Sequence, residues 1–403
     1  VRILYHHRTR GEDAQGIHIR ALCDAFRRLG HEVDVVALAR SAPAPKPASA
    51  PARAATGAGE NDSRPQLLGV PIPYWFYELL ALAYNGPAFA WLLFAALRRR
   101  PAFIYERYTL FTFAGLLVAK LLRLPFVLEV NAPLSLELTQ HGNLTFRRLA
   151  ERIETALCRN ATRTLVVTQA MADIFIARGV PAERLQVIPN GVDGERFNPD
   201  VSGAPIRERY GLSADTPVVG FVGWIRPWHG VDGLIGAVGR LVATFPELRL
   251  LVVGDGPAVP ALRQQARDAG LDAHVIFTGP VARDDIPGHI AALDVAVQPD
   301  VTDYASPIKL FEYLALGRAV VAPDKANIRE VVRHGRSALL FPPRDWAAME
   351  RAIGELLTDP EQRARMAAAA AQLVDERGYT WMGNARQVLE IVQGPAEHAP
   401  AEN

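Results

Sequence analysis

Short apolar runs alternate with amphipathic stretches along nearly the whole chain. Ile3-Leu4-Tyr5 leads through a Gly-containing loop to a helical pattern from Ile17 to Leu29; Gly30 ends it, and Val33 to Leu38 reads as the next strand. Further strands are expected at Phe103 to Tyr105, Phe126 to Val130, Thr164 to Thr168 and Gln186 to Ile188, with helices such as Ala114 to Leu122 and Phe146 to Cys158 between them. The pattern pauses between Asp193 and Ser213 and restarts. Val218 to Val222, Leu250 to Val253, Val275 to Phe277, Val295 to Val297, Ala319 to Val321 and Leu339 to Phe341 are six more strands. Helices from Val231 to Thr244, Pro260 to Ala269 and Leu310 to Leu316 alternate with them. Strand, crossover, strand is the signature of a parallel sheet covered on both faces. The spacing predicts an α/β chain of two doubly wound domains, residues 1–195 and 210–379.

Two segments break the pattern. Residues 41–65 are almost entirely Ala, Pro, Ser, Gly and Arg, too poor in large apolar groups to order themselves, and are expected to form a flexible insertion. The tail at 394–403 is expected to be disordered for the same reason.

Composition narrows the picture. At 403 residues and 49% hydrophobic, the chain has ample material for two cores. Its two cysteines, Cys23 and Cys158, exclude a disulfide framework and a multi-cysteine metal site; they read as small buried hydrophobes in a reducing compartment. A net charge of +1 gives no reason to expect nucleic acid. Residues 1–200 hold 24 bases against 18 acids, and the rest 20 against 25, so the first half is the better suited to an anionic surface. No charged-then-apolar segment precedes the first strand, which argues against secretion and for a cytoplasmic protein. The most hydrophobic stretch, Tyr74 to Leu97, is expected to be cut by Asn85-Gly86-Pro87 into pieces too short to span a membrane.

Ligands of open α/β sheets bind outside the carboxyl ends of strands, so the chemistry is sought in strand-to-helix loops, with the default site in a cleft between two such domains. Ahead of the first helix, Gly16 would let a backbone N–H approach an anion. Gly223-Trp224-Ile225-Arg226-Pro227-Trp228-His229-Gly230 crowds an Arg, a His and two Trp into one loop before a helix, a setting for a diphosphate. In Asp300-Val301-Thr302-Asp303-Tyr304-Ala305-Ser306-Pro307-Ile308-Lys309-Leu310-Phe311-Glu312, a helix should start near Ser306 or Pro307. Lys309 in its first turn is electrostatically wrong for an empty helix start, and a bound phosphate would repair that. Glu312 is placed to take both hydroxyls of a ribose. Gly254-Asp255-Gly256-Pro257 lacks the dinucleotide spacing. Hydrolase elbows, zinc helices and Walker loops are missing from the sequence, and His residues lack metal-ligand spacing.

Val187 to Asp193 followed by Phe197, Leu251 to Pro257, Lys309 to Gly317, Val320-Val321-Ala322 and Gly30-His31-Glu32-Val33 together resemble the family 4 retaining glycosyltransferases, along nearly the whole chain. Pro227-Trp228-His229-Gly230 and Ser306-Pro307-Ile308-Lys309-Leu310-Phe311-Glu312-Tyr313 resemble a bacterial-type branch. The resemblance implies a GT-B fold, two Rossmann-like domains facing an interdomain cleft. It implies donor binding mainly by the second domain and a last helix, 380–393, returning to the first. It implies retaining transfer of a hexose-type sugar from a nucleotide-sugar to a glycan or lipid-linked glycan, in polysaccharide or glycoconjugate biosynthesis. No metal or other cofactor is expected. Arg226, His229 and Lys309 would share the catalytic work on the leaving diphosphate. Gly16, Trp224, Asp303, Tyr304, Ser306, Leu310 and Glu312 would hold the donor, backbone amides from Ser306 to Leu310 would meet its phosphates, and Asn131 would lie on the acceptor side. Tyr304 stands where the family has its first Glu, with Asp300 or Asp303 as candidate replacements.

Two rival functions fit the same fold: a nucleotide-sugar epimerase, and a non-catalytic sugar-nucleotide binder suggested by Tyr304, Asn131 and Trp224. The aromatic run Tyr74-Trp75-Phe76-Tyr77 with Arg98-Arg99-Arg100 is compatible with peripheral contact at the inner face of a membrane, but a core helix ending in basic residues is the simpler reading.

Overall fold

The computed structural model describes residues 1–9, 14–37, 66–67 and 70–393; the expected 41–65 insertion and 394–403 tail lie outside the described residues. The chain divides into two compact units, Val1–Pro189 with the segment from Trp381, and Asn190–Thr380.

The first unit holds β1 (Arg2–His7), β2 (Glu32–Ala37), a two-residue hairpin of β3 (Gln66–Leu67) and β4 (Val70–Pro71), β5 (Phe103–Arg107), β6 (Phe126–Val130), β7 (Arg163–Val166) and β8 (Leu185–Val187). Six strands form one parallel sheet in the order β2-β1-β5-β6-β7-β8. Strands β5 and β6 are buried throughout, as near-continuous apolar runs of an inner parallel strand must be. The helix Trp381–Gln393 packs on the helix Ala14–Arg28, and Trp381, Ala385 and Val388 join Ile3, Tyr5, Leu22 and Phe26 in one core. Cys23 lies in that core, where burial pushes its thiol up to about 12; Cys158 is also buried and free, its thiol raised by burial too.

The second unit has β9 (Val218–Val222), β10 (Arg249–Val253), β11 (Val275–Phe277), β12 (Val295–Val297), β13 (Ala319–Pro323) and β14 (Leu339–Phe341). They too form a parallel six-stranded sheet, ordered β11-β10-β9-β12-β13-β14. Its two faces bury separate cores, one around Leu310, Phe311 and Leu314, the other around Leu234, Ile235 and Val238. Gly220 in β9 is required by packing: a Cβ there would lie 2.4 Å from Leu293 Cδ2. Helix starts follow local chemistry, as where Asp345 accepts from Ala348 N and Asp359 from Gln362 N, each at 2.8 Å. The two doubly wound sheets expected from the alternating pattern are therefore present.

The apolar stretch is less interrupted than its Asn-Gly-Pro suggests. Helices Tyr74–Ala83 and Asn85–Arg99 meet at Tyr84, whose φ of −54° and ψ of −29° remain helical. Pro87 lies within the first turn of the second helix, where a missing N–H costs little.

Candidate functional site

The second unit gathers its polar side chains where β9, β10 and β12 end. Gly223 N donates to Val253 O at 2.9 Å and Ile225 N to Asp255 O at 2.8 Å, which fastens the loop after β9 to the loop after β10. That approach excludes side chains. A Cβ on Gly254, whose φ is 118°, would lie 2.1 Å from Gly223 O, and one on Gly256 2.2 Å from Ile225 O. The Gly-Asp-Gly turn thus has a packing reason that its spacing did not reveal.

Lys309 occupies the space over Gly223: its Nζ would be 3.1 Å from a Cβ at that glycine and is 4.3 Å from the centroid of the Phe221 ring. Burial lowers its ammonium to about 8, while Glu312 pulls the other way. Beside it, His229 is pushed down to about 2 by burial and by the charges of Lys309 and Arg226. His229 Nδ1 accepts from Arg226 N at 3.3 Å, which leaves the ring proton on Nε2. His229 is therefore a neutral N–H donor, not a third cation. Arg226 lies 5.0 Å over the Trp228 ring, and Trp224 is partly buried in the same loop.

The loop after β12 is tied down differently from expectation. The helix begins at Ile308 with Pro307 as its cap, and Ser306 does not cap it. Ser306 Oγ instead accepts from Asn190 N at 3.1 Å, and Asn190 Nδ2 donates to Ser306 O at 2.6 Å. Leu310 is fully buried and its amide already donates to Pro307 O at 3.0 Å, so it is not a phosphate donor. Asp300 is buried, 2.7 Å from Lys325 Nζ and 3.3 Å from Arg344 Nε, and accepts from Val301 N at 2.8 Å. Asp303 is exposed, with Oδ1 3.1 Å from the same Lys325. Tyr304, the residue after Asp303, is partly buried. Glu312 is buried, and its Oε1 lies 2.7 Å from Arg283 Nη2. Arg283 in turn lies 5.0 Å over the Phe197 ring.

The first unit concentrates polar groups at the carboxyl ends of β1, β5 and β6. Glu129 is the hub: Tyr105 Oη donates to it at 2.8 Å, Arg107 Nη1 lies 2.5 Å and His18 Nε2 3.1 Å from its Oε1, and Asn131 Nδ2 donates to the same oxygen. Burial opposes its charge, but these partners outweigh burial and hold the carboxyl at about 2. His18 itself is pushed down to about 4 by burial, so its ring is neutral and Arg107 supplies the positive charge. Asn131, expected on the acceptor side, thus spends its amide on Glu129. Next to this hub, His6 Nδ1 is 2.5 Å from Glu106 Oε2 and His6 Nε2 3.1 Å from Tyr84 Oη. Glu106 Oε1 and His7 Nε2 are buried without a hydrogen-bond partner among the described residues. Gly16 lies inside the first turn of the helix Ala14–Arg28 rather than ahead of it.

The strand-to-helix loop pattern does not point to Arg283, Lys325, Arg107, Glu129 or His18. A signal for several of them existed: β1, β5 and β6 end in His6-His7, Glu106-Arg107 and Glu129-Val130, titratable groups at strand ends that apolar periodicity passes over. Among the described residues no cluster of three or more His, Cys, Asp or Glu has the arrangement of a metal site.

Two family models match, "Glycosyltransferase Family 4" over residues 15–196 and "Glycosyl transferases group 1" over residues 204–373. The chain is 34% identical over 224 residues to the GDP-mannose-dependent alpha-(1-6)-phosphatidylinositol monomannoside mannosyltransferase of Mycolicibacterium smegmatis, a match covering 54% of this chain and 58% of that protein. It is 30% identical over 294 residues to the 2-deoxystreptamine N-acetyl-D-glucosaminyltransferase of Streptomyces fradiae, covering 70% of this chain and 68% of that one. Among solved structures, Anabaena HepE in complex with UDP superposes with a TM-score of 0.72 at 20% identity, over 98% of this chain and all of that one, a likeness of fold.

Proposed function

Because the chain belongs to the family 4 glycosyltransferases, we propose that it moves a hexose-type sugar from a nucleotide-sugar donor to a hydroxyl of a glycan or lipid-linked glycan, with retention at the anomeric carbon and without a metal. The observation that carries this reading is the state of Lys309. A partly buried ammonium, lowered to about 8 and set in the first turn of the helix Ile308–Ala315, is a cation waiting for an anion.

In this reading Lys309 and Arg226 take the charge of the departing diphosphate, and His229 gives it a neutral hydrogen bond through Nε2. Glu312 binds the ribose hydroxyls, with Arg283 fixing its carboxylate. The new bond joins the acceptor oxygen to the anomeric carbon as the bond from that carbon to the phosphate oxygen breaks. The acceptor proton passes to that leaving oxygen, on the same face. The orphaned Glu106 Oε1 and His7 Nε2 are the groups of the first unit best suited to receive polar atoms of the acceptor. Relatives named for GDP-mannose and a fold neighbour holding UDP leave base choice to experiment.

The experiment is a thermal-shift screen of GDP, UDP and ADP with their sugars in chelator. A ligand that binds only the native state raises its melting temperature. One nucleotide is expected to shift it without metal, and Lys309→Ala and Glu312→Ala to remove the shift. No shift with any nucleotide, or one that needs a divalent cation, overturns the reading.

A further inference from the structure

In a soluble core helix one face is buried and the other is polar. The helix Asn85–Arg99 departs from this. Asn85, Ala88, Leu92 and Ala96 line its buried face, while Trp91, Phe94 and Leu97 stand 49%, 66% and 61% exposed at spacings that put them on one stripe. The preceding helix adds exposed Trp75 and Leu79, and the helix Ala114–Leu122, which packs against Asn85–Arg99, adds exposed Leu117 and Leu121. The core-helix reading accounts for the inner face only.

Within residues 74–125 the exposed charges have one sign. Between residues 74 and 125 the acids are Glu78 and Glu106, both buried, whereas Arg98, Arg99, Arg100, Lys120 and Arg123 are exposed. Arg99 reaches Asp34 at 3.6 Å and Lys120 reaches Asn160 Oδ1 at 2.6 Å, while exposed Arg98 and Arg100 follow Leu97 in the chain and exposed Arg123 follows Leu121 by two positions. An exposed apolar stripe with cations in excess, Asp34 and Glu32 lying only at its Arg99 end, matches the headgroup and acyl boundary of an anionic bilayer.

The stretch Tyr74–Arg99 is long and apolar enough to cross a membrane, but its polar groups are already committed within the first unit. Glu78 accepts from Thr145 N at 2.6 Å and Phe146 N at 2.7 Å, and Asn85 donates to Phe111 O at 2.8 Å and accepts from Phe113 N at 2.7 Å. Spanning would strip all four bonds. Lying on the surface keeps them.

We propose that this face, from Trp75 through Trp91, Phe94 and Leu97 to Leu121, docks the first unit on an anionic lipid surface, with Arg98, Arg100 and Arg123 at the headgroups. The inference stands on this surface alone and not on the donor-site assignment.

Co-sedimentation with vesicles tests it, using phosphatidylcholine alone and phosphatidylcholine mixed one to one with phosphatidylglycerol. Binding to the mixed vesicles is expected to be at least about tenfold tighter and to weaken with salt. Phe94→Ser with Leu97→Ser, at exposed positions, should lower it about tenfold with an unchanged melting temperature. Arg98→Glu with Arg100→Glu should abolish the preference for anionic lipid. No binding to mixed vesicles, or binding indifferent to both pairs, overturns the proposal. So does a dimer by light scattering that Phe94→Ser dissolves while vesicle binding is nil; the face would then meet a second copy.

Discussion

Arg283 Nη2 lies 2.7 Å from Oε1 of Glu312, a carboxylate whose side chain is 4% exposed. Nothing in the local sequence joins them. Arg283 follows β11, while Glu312 sits on the helix after β12, and the pair forms because both elements are packed into one unit. Removing one member of a fully buried pair costs roughly 3–5 kcal/mol. Arg283 is about a third exposed, so Arg283→Ala is expected to destabilise the second unit by about 2 kcal/mol and to weaken nucleotide binding. Urea unfolding and the thermal-shift assay read the two effects. A double variant with Glu312→Gln should recover part of the stability but none of the binding.

Lys309 makes affinity and stability depend on pH in opposite ways. Its folded value of about 8 lies below the ordinary 10.5, so between these values the unfolded chain holds the extra proton. Stability should therefore rise with pH across that window. Nucleotide diphosphate affinity should fall as pH rises through 8, because the ammonium that meets the phosphates is lost. Titration calorimetry at pH 7 and pH 9 measures this, and Lys309→Met should flatten both profiles.

Acid is expected to act earlier than a carboxylate alone would allow. His7 and His18 are pushed down to about 4, chiefly by burial, and an unfolded His titrates near 6.5. The unfolded chain gains protons first, so stability should begin to fall as pH drops below 6.5 and keep falling to about 4. Glu129, held at about 2 against an ordinary 4.5, adds a second loss from 4.5 downward. Melting temperatures from pH 7 to pH 3 should show both phases, and His18→Gln should shrink the first.

Two glycine substitutions should differ in sign. Gly254→Ala would place a Cβ 2.1 Å from the Gly223 carbonyl oxygen, which forces the β9 and β10 loops apart and should cost several kcal/mol together with donor binding. Gly236→Ala, inside the helix Val231–Leu241, meets only Arg240 Nη1 at 3.7 Å and should stabilise by about 0.5–1 kcal/mol. Chemical denaturation of both variants checks the contrast.

The sequence by itself determined the doubly wound α/β class, because inner parallel strands are apolar on both faces and helices on one stripe, and those periods are written locally. It also singled out Arg226, His229, Lys309 and Glu312, whose loops follow strands. Side-chain commitments were beyond it. Ser306 looks like a helix cap in sequence and is taken by Asn190, which stands 116 positions earlier. Asp303 and Asp300 look like free carboxylates and share Lys325. His229 counts as a basic residue until burial beside Lys309 and Arg226 makes it neutral. The apolar stretch from Tyr74 reads as core until packing shows that only one face of it is covered. Periodicity reports which residues tend to be buried together. Only tertiary structure decides which polar atoms meet, because hydrogen bonds and pKa values are set by neighbours a few ångströms away that come from distant parts of the chain.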